Sequence, residues 1–169
     1  MNHAMYATSI PVFKQMLNSL QAILIKAEQH ATAKNIDAAV FLQARLSPDM
    51  FPLARQVQIA ADFAKGVSAR LAGVAVPEYE DNEVSFSDLC DRLSKTLAFI
   101  DTLEAAQFEG SETREIVLRP GTPKEKKLSG SAYLLSYGLP QFFFHVTTAY
   151  GILRHQGVEL GKRDYMGIY

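Results

Sequence analysis

The sequence predicts an all-α fold: a bundle of four long helices in a single domain, residues 1–169, with a small β-hairpin between the third and last long helices. Apolar residues recur every three or four positions through four long stretches, as expected of amphipathic helices. Between the third and fourth stretches the helical spacing of apolar residues gives way to two short strand-like segments on either side of Pro120-Gly-Thr-Pro123. With 169 residues, 48% of them hydrophobic, the chain is long enough for one core that pools the four apolar stripes.

The first two long helices are expected near Ser9 to about Ala31 and over Met50–Leu71. The first has Pro11 in its first turn, where a missing amide hydrogen costs least. The second follows Ser47-Pro-Asp49, a helix-start signal, and should end at Gly73. One or two short turns are expected in between, over residues 35–42.

A polar loop over residues 77–83 should lead into the third helix, capped by Ser85 and extending through Gln107. Residues 114–119 and 124–128 predict the hairpin insertion at 114–128, docked through Ile116, Leu118 or Leu128. A turn or short helix should reach Tyr137. After a break at 138–140, the last helix should end near Gln156.

Composition excludes several classes of partner. With 17 basic and 18 acidic residues, the net charge of -1 gives no general attraction to nucleic acid or anionic lipid. The basic run at 124–127 contains a glutamate and no aromatic residue, which favours a solvated hairpin. No apolar run approaches the roughly 20 residues that span a bilayer. We therefore expect neither a nucleic-acid nor a membrane partner.

The single cysteine, Cys90, rules out an internal disulfide and a cysteine-based zinc site. Its place on the apolar stripe of the third helix favours an inert core thiol over a nucleophile. The N-terminus lacks the basic and apolar regions of a signal peptide. Together these features predict a soluble, cytoplasmic protein.

His145 is the most informative candidate site residue. It shares one helical stripe with Phe142, Ala149 and Ile152, so an imidazole is expected among core-type neighbours. A buried imidazole needs a partner, which could be a metal, a ligand or a second polar side chain. The sequence leaves these three alternatives open.

Other polar residues could share a ligand site with His145. Gln56 lies near the apolar stripe of the second helix and is a better inward candidate than Gln58, which points about 200 degrees away. Tyrosines near the last helix could place hydroxyl groups near a cavity, and an arginine near the second helix could orient an anion. The ligand-binding candidates are His145, Gln56, Tyr137, Tyr150 and Arg45.

A divalent metal is possible, but the ligand pattern is incomplete. His145 and His155 are ten residues apart, roughly 15 Å along one helix, so a single ion cannot bind both within it. His3 and His30 lie near chain or helix ends. The chain also lacks the common P-loop, dinucleotide-binding, zinc-protease and nucleophile-elbow motifs.

Nearly the whole chain resembles an uncharacterised family within the DinB/YfiT-like four-helix-bundle superfamily. The resemblance is carried by residues 47–59, 70–73, 142–157 and 164–167. It implies a helical bundle and a homodimer. It also implies a divalent metal held by one histidine of the second helix and a pair on the last helix.

Only His145 matches that implied metal triad. Thr148 or Ala149 stands where the second histidine of the last helix is expected, and the second helix has Gln56 instead. The leading interpretation is therefore a binding or regulatory protein with a small-molecule cavity around His145. The alternative is a metal-dependent transferase or hydrolase with an atypical site. A structural protein with a filled core is a third.

Overall fold

The computed structural model describes residues 4–169 and has the predicted architecture: a helical bundle with a two-stranded antiparallel hairpin. None of the helices in this range is long and apolar enough to cross a membrane. The elements are α1 Ala4–Ala7, α2 Ile10–Lys34, α3 Ala38–Leu42, α4 Leu53–Ala72, α5 Phe86–Asp101, a 3₁₀ turn Ala105–Phe108, β1 Glu115–Leu118, β2 Lys126–Ser129, α6 Gly130–Ala132, a π-helix Tyr133–Gly138, α7 Leu139–His155 and α8 Lys162–Met166.

The four long helices α2, α5, α4 and α7 follow one another around the bundle, and each packs against two neighbours. Their apolar stripes meet in one core. Phe13 of α2 and Phe142 of α7, both fully buried, meet edge to face with their ring centroids 4.9 Å apart. Burying each such side chain contributes roughly 1.5–3 kcal/mol.

Helix α7 runs antiparallel to α4, and this pair carries the candidate site. Gly138, just before α7, lies beside Val67 near the end of α4. Seven residues later, His145 reaches Gln56 near the start of α4. Side chains along the facing edges of these two helices can therefore line one continuous surface.

Several predicted helix ends shift. Helix α4 begins at Leu53, not Met50, because the Ser47 hydroxyl donates to the Asp49 carboxylate and neither side chain caps the helix. Helix α2 extends beyond Ala31 to Lys34 and ends at the left-handed residue Asn35. Helix α5 stops at Asp101, and a separate 3₁₀ turn replaces its predicted last residues.

The hairpin falls on the predicted 114–128 segment but has shorter strands, and β2 ends one residue beyond it, at Ser129. Ile116 pairs with Leu128, and Ile116 is buried against the bundle as expected. Just after β1, Arg119 adopts a left-handed conformation with φ 51°. This turn directs the chain back toward β2.

The predicted break at 138–140 is wrong. The chain passes from the π-helix into α7 without leaving helical conformation. Gly138 has a packing role instead: a Cβ atom there would lie 2.7 Å from Val67 Cγ2. The missing side chain lets the π-helix approach α4 closely.

Candidate ligand site between α4 and α7

His145 and Gln56 are direct hydrogen-bond partners. His145 Nδ1 lies 2.7 Å from Gln56 Oε1, and the two side chains are only 7% and 1% exposed. The sequence correctly selected Gln56 over Gln58 as the glutamine beside His145. Gln58 is also buried, but it donates to Glu83 on another face of α4.

A second hydrogen bond of the Gln56 side chain fixes the direction of the bond to His145. Gln56 Nε2 donates to the backbone carbonyl of Phe51 over 3.0 Å, so the amide oxygen faces the imidazole. Since that oxygen can only accept, Nδ1 of His145 carries the proton. The loop before α4 thus sets the tautomer of a histidine on α7.

The imidazole is neutral near physiological pH. Burial, and to a smaller extent the positive charge of Arg55, lowers the pKa of His145 to about 4. In the neutral tautomer set by Gln56, Nε2 is the acceptor. Within residues 4–169 this atom has no hydrogen-bond partner, and it is not fully enclosed. It is an oriented acceptor open to a small donor.

Four rings, of which His145 is the first, follow one another along the α4–α7 edge. His145 stacks on Phe63 with centroids 6.0 Å apart, Phe63 contacts Tyr137 at 5.8 Å, and Tyr137 stacks on Tyr133 at 5.8 Å. We call these four residues the aromatic row. It joins α7, α4 and the π-helix, an element often found at functional sites.

A cavity of about 200 Å³ lies at the far end of the aromatic row. It adjoins α4, the π-helix and the β1 end of the hairpin. Its lining residues are Asp62, Phe63, Arg70, Leu118, Arg119, Tyr133 and Tyr137. Tyr137, one of the ligand-binding candidates expected near His145, lines this cavity instead, while Arg70, Arg119 and Phe63 were not recognised from the sequence. These residues come from distant parts of the sequence and meet only where α4, the π-helix and the end of β1 come together in the folded bundle.

The other predicted site residues lie elsewhere. Arg45 donates to the backbone carbonyl of Met50 in the loop before α4. Tyr150 packs edge to face on Tyr165 of α8, with centroids 5.7 Å apart. Burial raises the pKa of the Cys90 thiol to about 11, so it is protonated near neutral pH, as expected of an inert thiol.

A second polar cluster was missed by sequence reasoning. Arg92, only 3% exposed, forms ion pairs with Asp62 and Asp81 at 2.9 Å and with Glu83 at 2.8 Å. Lys65 also pairs with Asp62 at 2.9 Å. Arg92 adjoins Leu93 on the buried side of α5, which is an unusual place for a charged residue. This position is the one feature of the sequence that could have pointed to the cluster. The cluster ties α4 and α5 to the loop between them.

The residues present do not fit a divalent metal. Across residues 4–169, no group of three His, Cys, Asp or Glu side chains could hold an ion. Gln56 is directly bonded to His145, and His30 packs on Phe41 with centroids 5.9 Å apart. His155 is exposed at the end of α7. His3 lies outside the described residues.

Comparison with known proteins identifies the family. Residues 5–166 match the domain of unknown function DUF1993. The crystal structure of a DinB family member protein from Shewanella denitrificans superposes with a TM-score of 0.91, at 40% sequence identity over 97% of this chain and 92% of that one. No curated protein matches. The chain belongs to the DUF1993 family, with a DinB-like fold.

Proposed function

We propose that this DinB-like protein binds a small molecule against the aromatic row between α4 and α7. One observation carries the proposal: the row extends without a gap from the oriented imidazole of His145 to a cavity lined by Phe63 and Tyr137. Ligand sites combine apolar and aromatic walls with a few placed polar groups. The row supplies both.

The proposed site is displaced from the one expected around His145. The cavity lies beyond Phe63, and Tyr137 is the expected residue that lines it. The Tyr137 hydroxyl makes no hydrogen bond within the described part of the chain, so it is free to contact a ligand. His145 and Gln56 support the row from behind Phe63, and Arg45 and Tyr150 take no part.

The cavity volume limits the ligand. About 200 Å³ is below the roughly 300–1,000 Å³ of sites for drug-sized molecules, so the ligand has about one ring. Selection then depends on shape and on a few polar contacts. Such a site suits a binding or regulatory role.

The test compares two tyrosines of the candidate set. Single-ring compounds are screened by ligand-observed NMR against the wild type, Tyr137→Ala and Tyr150→Ala, with folding checked by circular dichroism. We expect binding to be lost in Tyr137→Ala and kept in Tyr150→Ala. Absence of any hit, or hits that persist without the Tyr137 ring, would contradict the proposal.

We also propose that the protein acts as a homodimer in the cytoplasm. The support is the superfamily resemblance and a single, half-buried cysteine. Light scattering should give twice the 18.7 kDa chain mass. A monomer throughout the micromolar range would refute the dimer.

A further inference from the structure

We infer that the cavity at the end of the aromatic row selects a small planar carboxylate, because two arginines without carboxylate partners line it beside three aromatic rings. This inference rests on the proposed function and adds the chemical class of the ligand. The arginines are Arg70 of α4 and Arg119 after β1. Among residues 4–169, neither forms an ion pair with an acidic side chain.

The guanidinium of Arg70 is held in place with donors to spare. Its Nη1 donates to the carbonyl of Gly66 over 3.1 Å and to the Tyr133 hydroxyl over 3.2 Å. A Cβ atom at Gly66 would lie 2.7 Å from that Nη1, so the glycine makes room for the group. Guanidinium has five N–H donors, and Nε and Nη2 make no protein hydrogen bond in the described chain and are not fully enclosed.

Arg119 brings a second positive charge from the hairpin. Its left-handed φ of 51° is a conformation that a residue other than glycine seldom adopts, and its side chain is exposed. The turn is closed by Thr122, whose hydroxyl donates to the Arg119 carbonyl over 2.9 Å. The backbone bonds therefore leave the guanidinium available to a ligand.

The one carboxylate in the lining is already neutralised. Asp62 Oδ1 accepts from Lys65 Nζ and from Arg92 Nη2, each at 2.9 Å. Both cations are buried, which strengthens their hold on Asp62. The cavity thus presents two uncompensated guanidinium groups to an incoming molecule.

The remaining walls define the body of the ligand. Phe63 and Tyr137 present ring surfaces that favour a flat, apolar partner. Guanidinium binds carboxylate through two parallel hydrogen bonds, a geometry that a lysine would not provide. A single ring bearing a carboxylate satisfies the volume, the aromatic walls and the positive charge together.

Calorimetric titrations with benzoate and with its neutral isostere benzamide test the assignment. The variants are Arg119→Asn, which keeps a residue tolerant of left-handed backbone, and Lys124→Asn, a matched charge loss on the same hairpin outside the cavity. We expect benzoate to bind at least tenfold more tightly than benzamide. Arg119→Asn should weaken benzoate at least fivefold, and Lys124→Asn less than twofold.

Each contrary result has a separate meaning. Equal binding of benzamide and benzoate overturns the carboxylate preference and leaves the proposed binding function standing. An equal loss in Lys124→Asn and Arg119→Asn shows diffuse attraction and also overturns the assignment. If neither probe binds at millimolar concentration, the carboxylate assignment falls; if the screen of single-ring compounds is also empty, the proposed function falls with it.

Discussion

The amide oxygen of Gln56 accepts the Nδ1 proton of His145 across the α4–α7 interface, over 2.7 Å and almost out of contact with solvent. Because Gln56 is itself held by the Phe51 carbonyl, the pair has one stable orientation. It fixes the neutral tautomer and the position of the first ring of the aromatic row. This places a buried polar contact at the start of the proposed site.

The depressed pKa of His145 makes stability depend on pH. The group titrates at an ordinary 6.5 in the unfolded chain and at about 4 in the native state. Between these values the unfolded state binds more protons, so stability falls as the pH drops through this window. Complete protonation of His145 would therefore lower the free energy of unfolding by about 3 kcal/mol relative to neutral pH.

Urea unfolding between pH 7 and pH 4 checks this expectation. His145→Gln removes the titrating group while keeping a donor for Gln56, and serves as the control. The wild type should lose more unfolding free energy than the variant over the same interval, by about 2–3 kcal/mol. Parallel pH profiles would show that His145 titrates normally.

The hydrogen bond itself can be isolated by a double-mutant cycle. Gln56→Met leaves the buried Nδ1–H without an acceptor, and we expect it to cost about 1–3 kcal/mol of unfolding free energy. His145→Leu likewise strands the amide of Gln56. The double variant should be more stable than the sum of the single losses predicts, by about 0.5–3 kcal/mol, since neither His145 nor Gln56 then remains to lack the other as a partner, while the loss of the donor to the Phe51 carbonyl cancels in the cycle. Additive losses would exclude an energetic link.

Apolar periodicity was enough to predict the four-helix architecture, because each helix shows its buried face in its own sequence. The hairpin was predicted from a change of period around the turn residues Pro120-Gly-Thr-Pro123. Helical periodicity also predicted that Gln56 faces inward. The helix ends were harder: Ser47 and Asp49 bond to each other rather than capping α4. Local cap signals do not show which of two competing partners a hydroxyl group takes.

The proposed cavity could be predicted only in part. Tyr137 was found because it lies near the last helix. Arg70 and Arg119 are distant in sequence and separated by a change from helix to strand, so no spacing rule joins them. Arg92 was missed because its partners come from α4 and from the loop before α5.

The Arg92 cluster should be a major contributor to stability. Replacing Arg92 with Met leaves Asp62, Asp81 and Glu83 without their shared cation, although Lys65 and Arg55 still contact two of them. The side chains of Arg92 and Glu83 are both buried, and loss of one partner from a buried ion pair costs about 3–5 kcal/mol. Urea unfolding should show a loss of this size.

Lys95→Met is a matched control for the Arg92 substitution, because it removes a positive charge from an exposed position on the same helix. Its unfolding free energy should stay within about 0.5 kcal/mol of the wild type. A similarly small effect in Arg92→Met would show that the cluster is replaceable by apolar packing.

Gly138 packs so closely against Val67 that a larger residue at this position should clash. An added methyl group would lie 2.7 Å from Val67 Cγ2, so the π-helix would have to move away from α4. We expect Gly138→Ala to cost about 1–3 kcal/mol of unfolding free energy, although alanine is the better helix former. Val67→Ala should relieve the clash, so the double variant should recover part of the loss. Since Tyr137 precedes this glycine, Gly138→Ala should also weaken ligand binding at the cavity. An alanine at 138 that stabilises the protein would show that the close approach of π-helix and α4 is absent in solution.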